Sequence, residues 1–366
     1  MEIYIYLVAA TLIFGMIMPQ QGPQRKKYII LMAVIHAFVC GFRYQYLTGD
    51  LMKYQWMYSH LYEDAWFSEA VWDGGRNAGF TMLMKLVALL FDNQFQPFLV
   101  ITAIIGEICV AILVYRYSPA PWMSYLVWNC LGFYIFGFSA VKQALAMAVL
   151  MIAFIGVAER NLKFYLIAMT VAGLIHTPSL IFLPAYWLAG RKVTLNTVIL
   201  YILLGIGVFV FKDQVVAIFS SFYFEDDELF MYSGHLGGRF FLILMITCCS
   251  FLIHGFGDRK FDTTFHLMAI ATILQMLAGF DHMFTRLTDY YFQFSVLFIP
   301  MLFFRMPGEY RRITTRPMFP FNRRSLHLLA AVVCVCLMGF YYIFNLSEEI
   351  IAVDNYLNFR FMWDVK

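Results

Sequence analysis

The sequence predicts an all-α, polytopic membrane bundle, and three observations carry that prediction. Of the 366 residues, 62% are hydrophobic and only 13% charged, against roughly 25% charged in an average soluble domain. Apolar runs recur from Ile3 to Asn345, many near the ~20 residues that a helix needs to cross a bilayer. No polar stretch between them is long enough for a separate soluble fold, so one integral membrane domain is expected over 1–366.

Taken in order, candidate spans lie near 2–18, 27–43, 96–115, 120–138, 141–158, 163–176, 178–190, 195–211, 239–256, 263–281, 285–304 and 325–345, about twelve in all. The first has no basic region before it and no small-residue cleavage site after it, so it is expected to be retained. Orientation follows the Lys and Arg of the loops. The loop from Arg305 to Arg324 is the most basic and is expected inside, and alternation then puts Arg259-Lys260, Arg191-Lys192, Arg160 and Arg116 inside as well. Counting from Arg25-Lys26-Lys27 agrees only if Gly79–Phe91 does not cross. That segment is short and carries Lys85 at its middle, so it is expected to be re-entrant or interfacial. Two hydrophilic segments, 43–78 and 212–238, then stand outside as candidate substrate-binding loops, the second carrying the acidic run Glu225–Glu228.

All seven cysteines lie in or beside apolar runs, and the eight histidines show no paired ligand spacing. Buried thiols are expected, with neither disulfides nor a metal site. Nucleic acid is not an expected partner.

Ionisable groups are costly at membrane depth. Those at the outer ends of apolar segments are Arg43, Asp50, Lys142, His176, Arg239, Asp281, His282, Arg286 and Asp289. Singly, each reads as a side chain snorkelling to the interface. Jointly, four cations on well-separated helices form a site for an anionic lipid headgroup. Lys142 and Gln143 open a helix, where the dipole favours an anion. His176, before Thr177-Pro178, either takes a proton from a hydroxyl or caps the preceding helix. Tyr54 and its aromatic neighbours, like Tyr290 and Tyr291, suit a sugar face or an interface belt equally. Glu107 and His36 lie within spans, and sequence gives neither a partner.

Four motifs carry a resemblance. Phe42-Arg43-Tyr44 with Thr48-Gly49-Asp50 and Tyr54, Ser139-Ala140-Val141-Lys142-Gln143-Ala144, Gly173-Leu174-Ile175-His176-Thr177-Pro178, and Thr285-Arg286-Leu287-Thr288-Asp289-Tyr290-Tyr291 occur in this order. In order and spacing, from about Tyr28 to Pro300, the chain resembles the EpsG-like branch of Wzy-type bacterial polysaccharide polymerases. The resemblance implies a GT-C-like metal-independent glycosyltransferase of the plasma membrane. Its donor and acceptor are oligosaccharide repeat units on undecaprenyl diphosphate, its site faces outward, and a flippase and a chain-length regulator of the same pathway are its partners. On these motifs His176, Asp50, Arg43 and Arg286 are carried over as catalytic, and Lys142, Gln143, Tyr54, Tyr290 and Tyr291 as substrate-binding; Arg239 joins them as a fourth cation. Two departures are present: Lys142 stands where the family usually has arginine, and Asn77-Ala78-Gly79-Phe80 lacks the acid often found there.

A lipid-linked glycan flippase remains an alternative, although no internal repeat of the kind transporters use is evident. An O-antigen-type ligase would share the donor and differ only in acceptor. A membrane acyltransferase would pair His with an acid on one helical turn, which only Asp281-His282 approaches.

Overall fold

The computed structural model of the chain describes residues 2–72, 75–223, 236–253, 255–279, 283–304, 332, 335, 336, 338, 339, 341 and 359–364. The Arg305–Arg324 loop, the acidic run Glu225–Glu228, Asp281-His282 and most of the 325–345 segment lie outside the described residues.

The described chain is helical. Its order is α1 (Glu2–Ile17), α2 (Arg25–Gly41), α3 (Gly49–Glu63), α4 (Glu69–Trp72), α5 (Ala78–Leu90), α6 (Gln96–Tyr117), α7 (Pro121–Cys130), α8 (Phe133–Phe136), α9 (Val141–Glu159) and α10 (Leu162–Ile175). A 3-10 turn at Thr177–Phe182 follows, then α11 (Ala185–Leu188), α12 (Leu195–Val210), α13 (Lys212–Tyr223), α14 (Gly238–Ile253), α15 (Arg259–Leu277), α16 (Met283–Phe292) and α17 (Ser295–Phe303). Among the described residues only α6 and α9 are, by themselves, long and apolar enough to cross a membrane. Helices α12 and α13 meet that measure as a pair, bent by 81°. Among the described residues several of the other expected spans are shorter, or broken as at the 3-10 turn where Pro178 removes a backbone donor, while the 19-residue α15 carries Arg259, Lys260 and Asp262 in its first turn.

Helices α2 and α6 are antiparallel. At one end Gln96 donates to the Gly41 carbonyl at 2.7 Å; at the other Arg25 donates to the Ser118 carbonyl at 3.2 Å. Helix α6 therefore begins at the end of the bundle where α2 finishes. Residues 42–95 start and return at that end. Helix α5 starts where Thr177 bonds the Arg76 carbonyl, and Gln94, beyond its last turn, accepts from Tyr58 at 3.0 Å. Gly79 lets α5 close on α10, because a Cβ there would meet the Leu174 backbone at 3.0 Å.

Lys85 explains itself in this setting. Its ammonium is buried and donates to the Leu61 carbonyl at 2.8 Å and to the Asp64 carbonyl. It closes the carboxy-terminal end of α3, whose last carbonyls have no partners within the helix.

The two interior groups for which sequence offered no partner have one. His36 Nε2 meets Asn129 Oδ1 at 3.0 Å, and Asn129 donates onward to Thr11 at 3.3 Å. Glu107 accepts from Trp128 Nε1 at 3.2 Å, while its Oε2 is buried without a partner. The carboxy-terminal residues 359–364 return to the end where α2 finishes. Arg43 and Phe361 form an antiparallel bridge, with Tyr44 N–H donating to the Arg360 carbonyl at 2.8 Å.

Candidate active site

The short turn before α9 and the starts of α3, α9 and α16 meet at one end of the bundle, together with the end of α10. Thr48 caps α3 by accepting from the Leu51 N–H at 3.3 Å, which fixes Asp50 in the first turn. Asp50 Oδ2 accepts from Ser139 at 3.1 Å. One helical turn further, the Tyr54 hydroxyl is hydrogen-bonded to the Lys142 backbone. Burial first, and the Asp50 charge second, push that hydroxyl up to about 12, against the opposing pulls of Arg286 and the Lys142 backbone. The Asp50 and Arg286 charges both reach Tyr54, which puts the first and fourth motifs side by side.

Gln143 is buried and donates to the Arg286 carbonyl at 2.7 Å, tying the start of α9 to α16. The first turn of α9 has no side-chain cap. His176 stands in the break after α10, where the chain leaves the helix in an extended conformation. Its Nδ1 is hydrogen-bonded to the Tyr290 hydroxyl, and the charges of Lys142 and Arg286 both act on its ring. Arg286 itself is exposed. Beside it, Arg239 is salt-bridged to Asp289, with its guanidinium 5.3 Å from the Phe292 ring centre. The Arg286 charge also bears on Asp289.

The structure thus gathers Asp50, Tyr54, Lys142, Gln143, His176, Arg286 and Tyr290, with Arg239 alongside but paired to a carboxylate. Two expected site residues face elsewhere. Arg43 is 1% exposed, and its donors end on the carbonyls of Phe138 (3.2 Å), Gly137 (3.4 Å) and Cys40. Arg43, expected among the outward-facing cations of the site, is instead enclosed. A planar guanidinium just past the end of α2 is taken up by the carbonyl of Cys40 in the last turn of that helix and by those of Gly137 and Phe138 in the turn before α9. Tyr291 is buried in the same way, its hydroxyl donating to the Ile181 carbonyl at 2.6 Å. Asp281 and His282 lie outside the described residues.

Nothing in the sequence gives Ser139 a role. It joins Asp50 to the turn that Arg43 holds, and its only signal was its place three residues before Lys142. Gln96 was missed too; it bonds the Gly41 and Arg43 carbonyls.

Fold and site together define a multi-helix membrane protein whose polar, cationic cluster sits at one end of an apolar bundle. The EpsG family matches residues 26–361, nearly the whole chain, and the chain belongs to that family, one of Wzy-type polysaccharide polymerases. No curated protein and no solved structure matches it.

Proposed function

We propose that the protein is a polymerase that joins oligosaccharide repeat units carried on undecaprenyl diphosphate into exopolysaccharide or capsular polysaccharide at the outer face of the plasma membrane. Membership of the EpsG family supports the polymerisation. The observation that carries the site is the meeting of Asp50, Tyr54, Lys142, His176 and Arg286, through hydrogen bonds by way of Ser139, Gln143 and the Lys142 backbone and through mutual charge. The outward orientation rests on the basic turns around Arg25, Arg116, Arg160 and Arg191, which sit at the opposite end, and on the excess of Lys and Arg in cytoplasmic loops. About twelve spans in one GT-C-like domain, with 79–91 remaining on the outer side and 43–78 and 212–238 as substrate loops, complete the proposal.

In this mechanism the donor diphosphate lies against Lys142, Arg286 and the first turn of α9, where the helix dipole adds to the two cations. An acceptor hydroxyl oxygen bonds to the anomeric carbon of the donor. The bond from that carbon to the diphosphate oxygen breaks, and its electron pair leaves with the diphosphate. Fixed positive groups stabilise that growing charge without reorganising. His176 takes the acceptor proton on Nε2 while its Nδ1–H donates to Tyr290, a tautomer that leaves the Nε2 lone pair free to accept. Asp50 accepts from a sugar hydroxyl, and the Tyr54 ring offers a face to its C–H groups. Direct displacement inverts the anomeric centre. No metal or other cofactor has a role in this scheme. A flippase and a chain-length regulator of the same pathway are the proposed partners.

Purified protein incubated with lipid-linked repeat unit should yield a ladder of chain lengths. Arg286→Ala is expected to lower the rate about 10²–10³-fold, as loss of one charge-stabilising donor does. His176→Ala should lower it about 10²–10⁴-fold, as loss of a general base does. Transbilayer movement of the lipid-linked unit without elongation would replace this reading with a flippase.

A further inference from the structure

A lipid-facing trough of about 740 Å³ runs along the outside of the α2/α6 pair, within the about 300–1,000 Å³ typical of ligand pockets. Small residues make it. Ala33 and Ala37 on α2 and Ala111 on α6 leave the seam between the helices shallow, while Val34 and Ile104 stand out on either side, 60% and 43% exposed. Because the two helices are antiparallel, the trough extends from Phe42 to Lys26, over the 17 residues of α2 or about 25 Å. That length is comparable to the hydrocarbon thickness of a bilayer.

Its polarity is confined to one end. Lys26 and Arg116 border it there, both exposed. Arg25, beside them, lies 5.2 Å from the Tyr115 ring centre and donates to the Ser118 carbonyl, and Lys27 adds a further exposed charge. The facing acid is Glu159, paired with Arg116 at 3.0 Å with both groups about half exposed. Four cations against one carboxylate leave this end positive. Glu107 borders the trough at mid-length but is 5% exposed and engaged with Trp128.

An apolar trough with cations at a single end fits an amphiphile whose head is anionic and whose tail is hydrocarbon. The charged end lies opposite the Asp50–His176 cluster, so the trough does not present its cations to the donor diphosphate there. We propose that this trough is a binding site for an anionic glycerophospholipid, with its phosphate between Lys26 and Arg116 and an acyl chain over Ala33 and Ala37. The bound lipid braces the helix pair that carries Gly41, Arg43 and Gln96 to the other face. This inference stands independently of the polymerase reading.

The test is native mass spectrometry of the full-length protein, purified in detergent with equal amounts of phosphatidylglycerol and phosphatidylcholine. Preferential retention of one phosphatidylglycerol is expected, and Ala37→Trp, which fills the trough, should abolish it. Lys26→Gln, an exposed change that leaves the core untouched, should weaken retention about fivefold, and Arg116→Gln by a similar factor. These two variants keep the test decisive if Ala37→Trp does not fold. Equal retention of both lipids, retention unchanged across the variants, or displacement of phosphatidylglycerol by undecaprenyl diphosphate would each overturn the assignment.

Discussion

A guanidinium buried at the end of a membrane helix must spend its donors on something, and Arg43 spends them on the carbonyls of Cys40, Gly137 and Phe138. It thereby shapes the turn that presents Ser139 to Asp50 and leads into α9 one residue before Lys142. Arg43→Lys keeps the charge but loses the fork. Each carbonyl left buried without a donor costs about 1–3 kcal/mol, so this variant is expected to melt earlier than wild type and to lose elongation rate more than lipid-donor affinity; thermal unfolding in detergent and a kcat-against-KM comparison check it. Tyr54 makes a second prediction. With its hydroxyl pushed up to about 12, above the ordinary value near 10, it keeps its proton throughout the neutral range. The neutral form is the one favoured by the fold, so its contribution is full below about pH 10 and is lost as pH rises beyond that. The pH profile of elongation by Tyr54→Phe should therefore run parallel to that of wild type between pH 5 and 9 and part from it only above about pH 10.

At the scale of elements, the informative helices are the ones that do not fit a simple span. Helix α5 is 13 residues long and has a lysine in its middle, which sequence could mark as anomalous but could not explain. The structure supplies the reason: Lys85 closes the end of α3, so its charge is matched to carbonyls at a helix carboxy terminus. Lys85→Met removes hydrogen bonds of a charged donor, worth about 1.5–3 kcal/mol each, and should loosen the α3–α5 pairing. Faster hydrogen exchange in residues 49–64, with little change in α9 and α10, is the expected signature. Helix α13 departs from expectation in the same spirit. The sequence suggests an outer loop from Lys212, yet the chain continues as a helix turned 81° from α12.

Over the whole molecule, the chain alternates between two ends, and chemistry is divided between them. Asp50, Lys142, His176, Arg239 and Arg286 occupy one end, where the tail at Phe361 also bridges to Arg43. The basic turns at Arg25, Arg116, Arg160 and Arg191 occupy the other. If the end at which 42–95 starts and returns faces outward, a cysteine replacing the exposed Gln94, in a background freed of native cysteines, labels with an impermeant reagent from outside the cell. Labelling only after permeabilisation would put that end in the cytoplasm.

The membrane class, the sign of each turn and the order of the four motifs were determined by the sequence itself, because hydropathy and charge act locally and need no neighbours to be legible. Which charged groups meet was decided only by tertiary structure. Arg43 and Arg286 look alike along the chain; one is enclosed by carbonyls brought from 95 residues away and the other stays exposed beside His176. A side chain's role depends on the donors and acceptors that packing delivers to it, and that pairing is a property of three-dimensional distance.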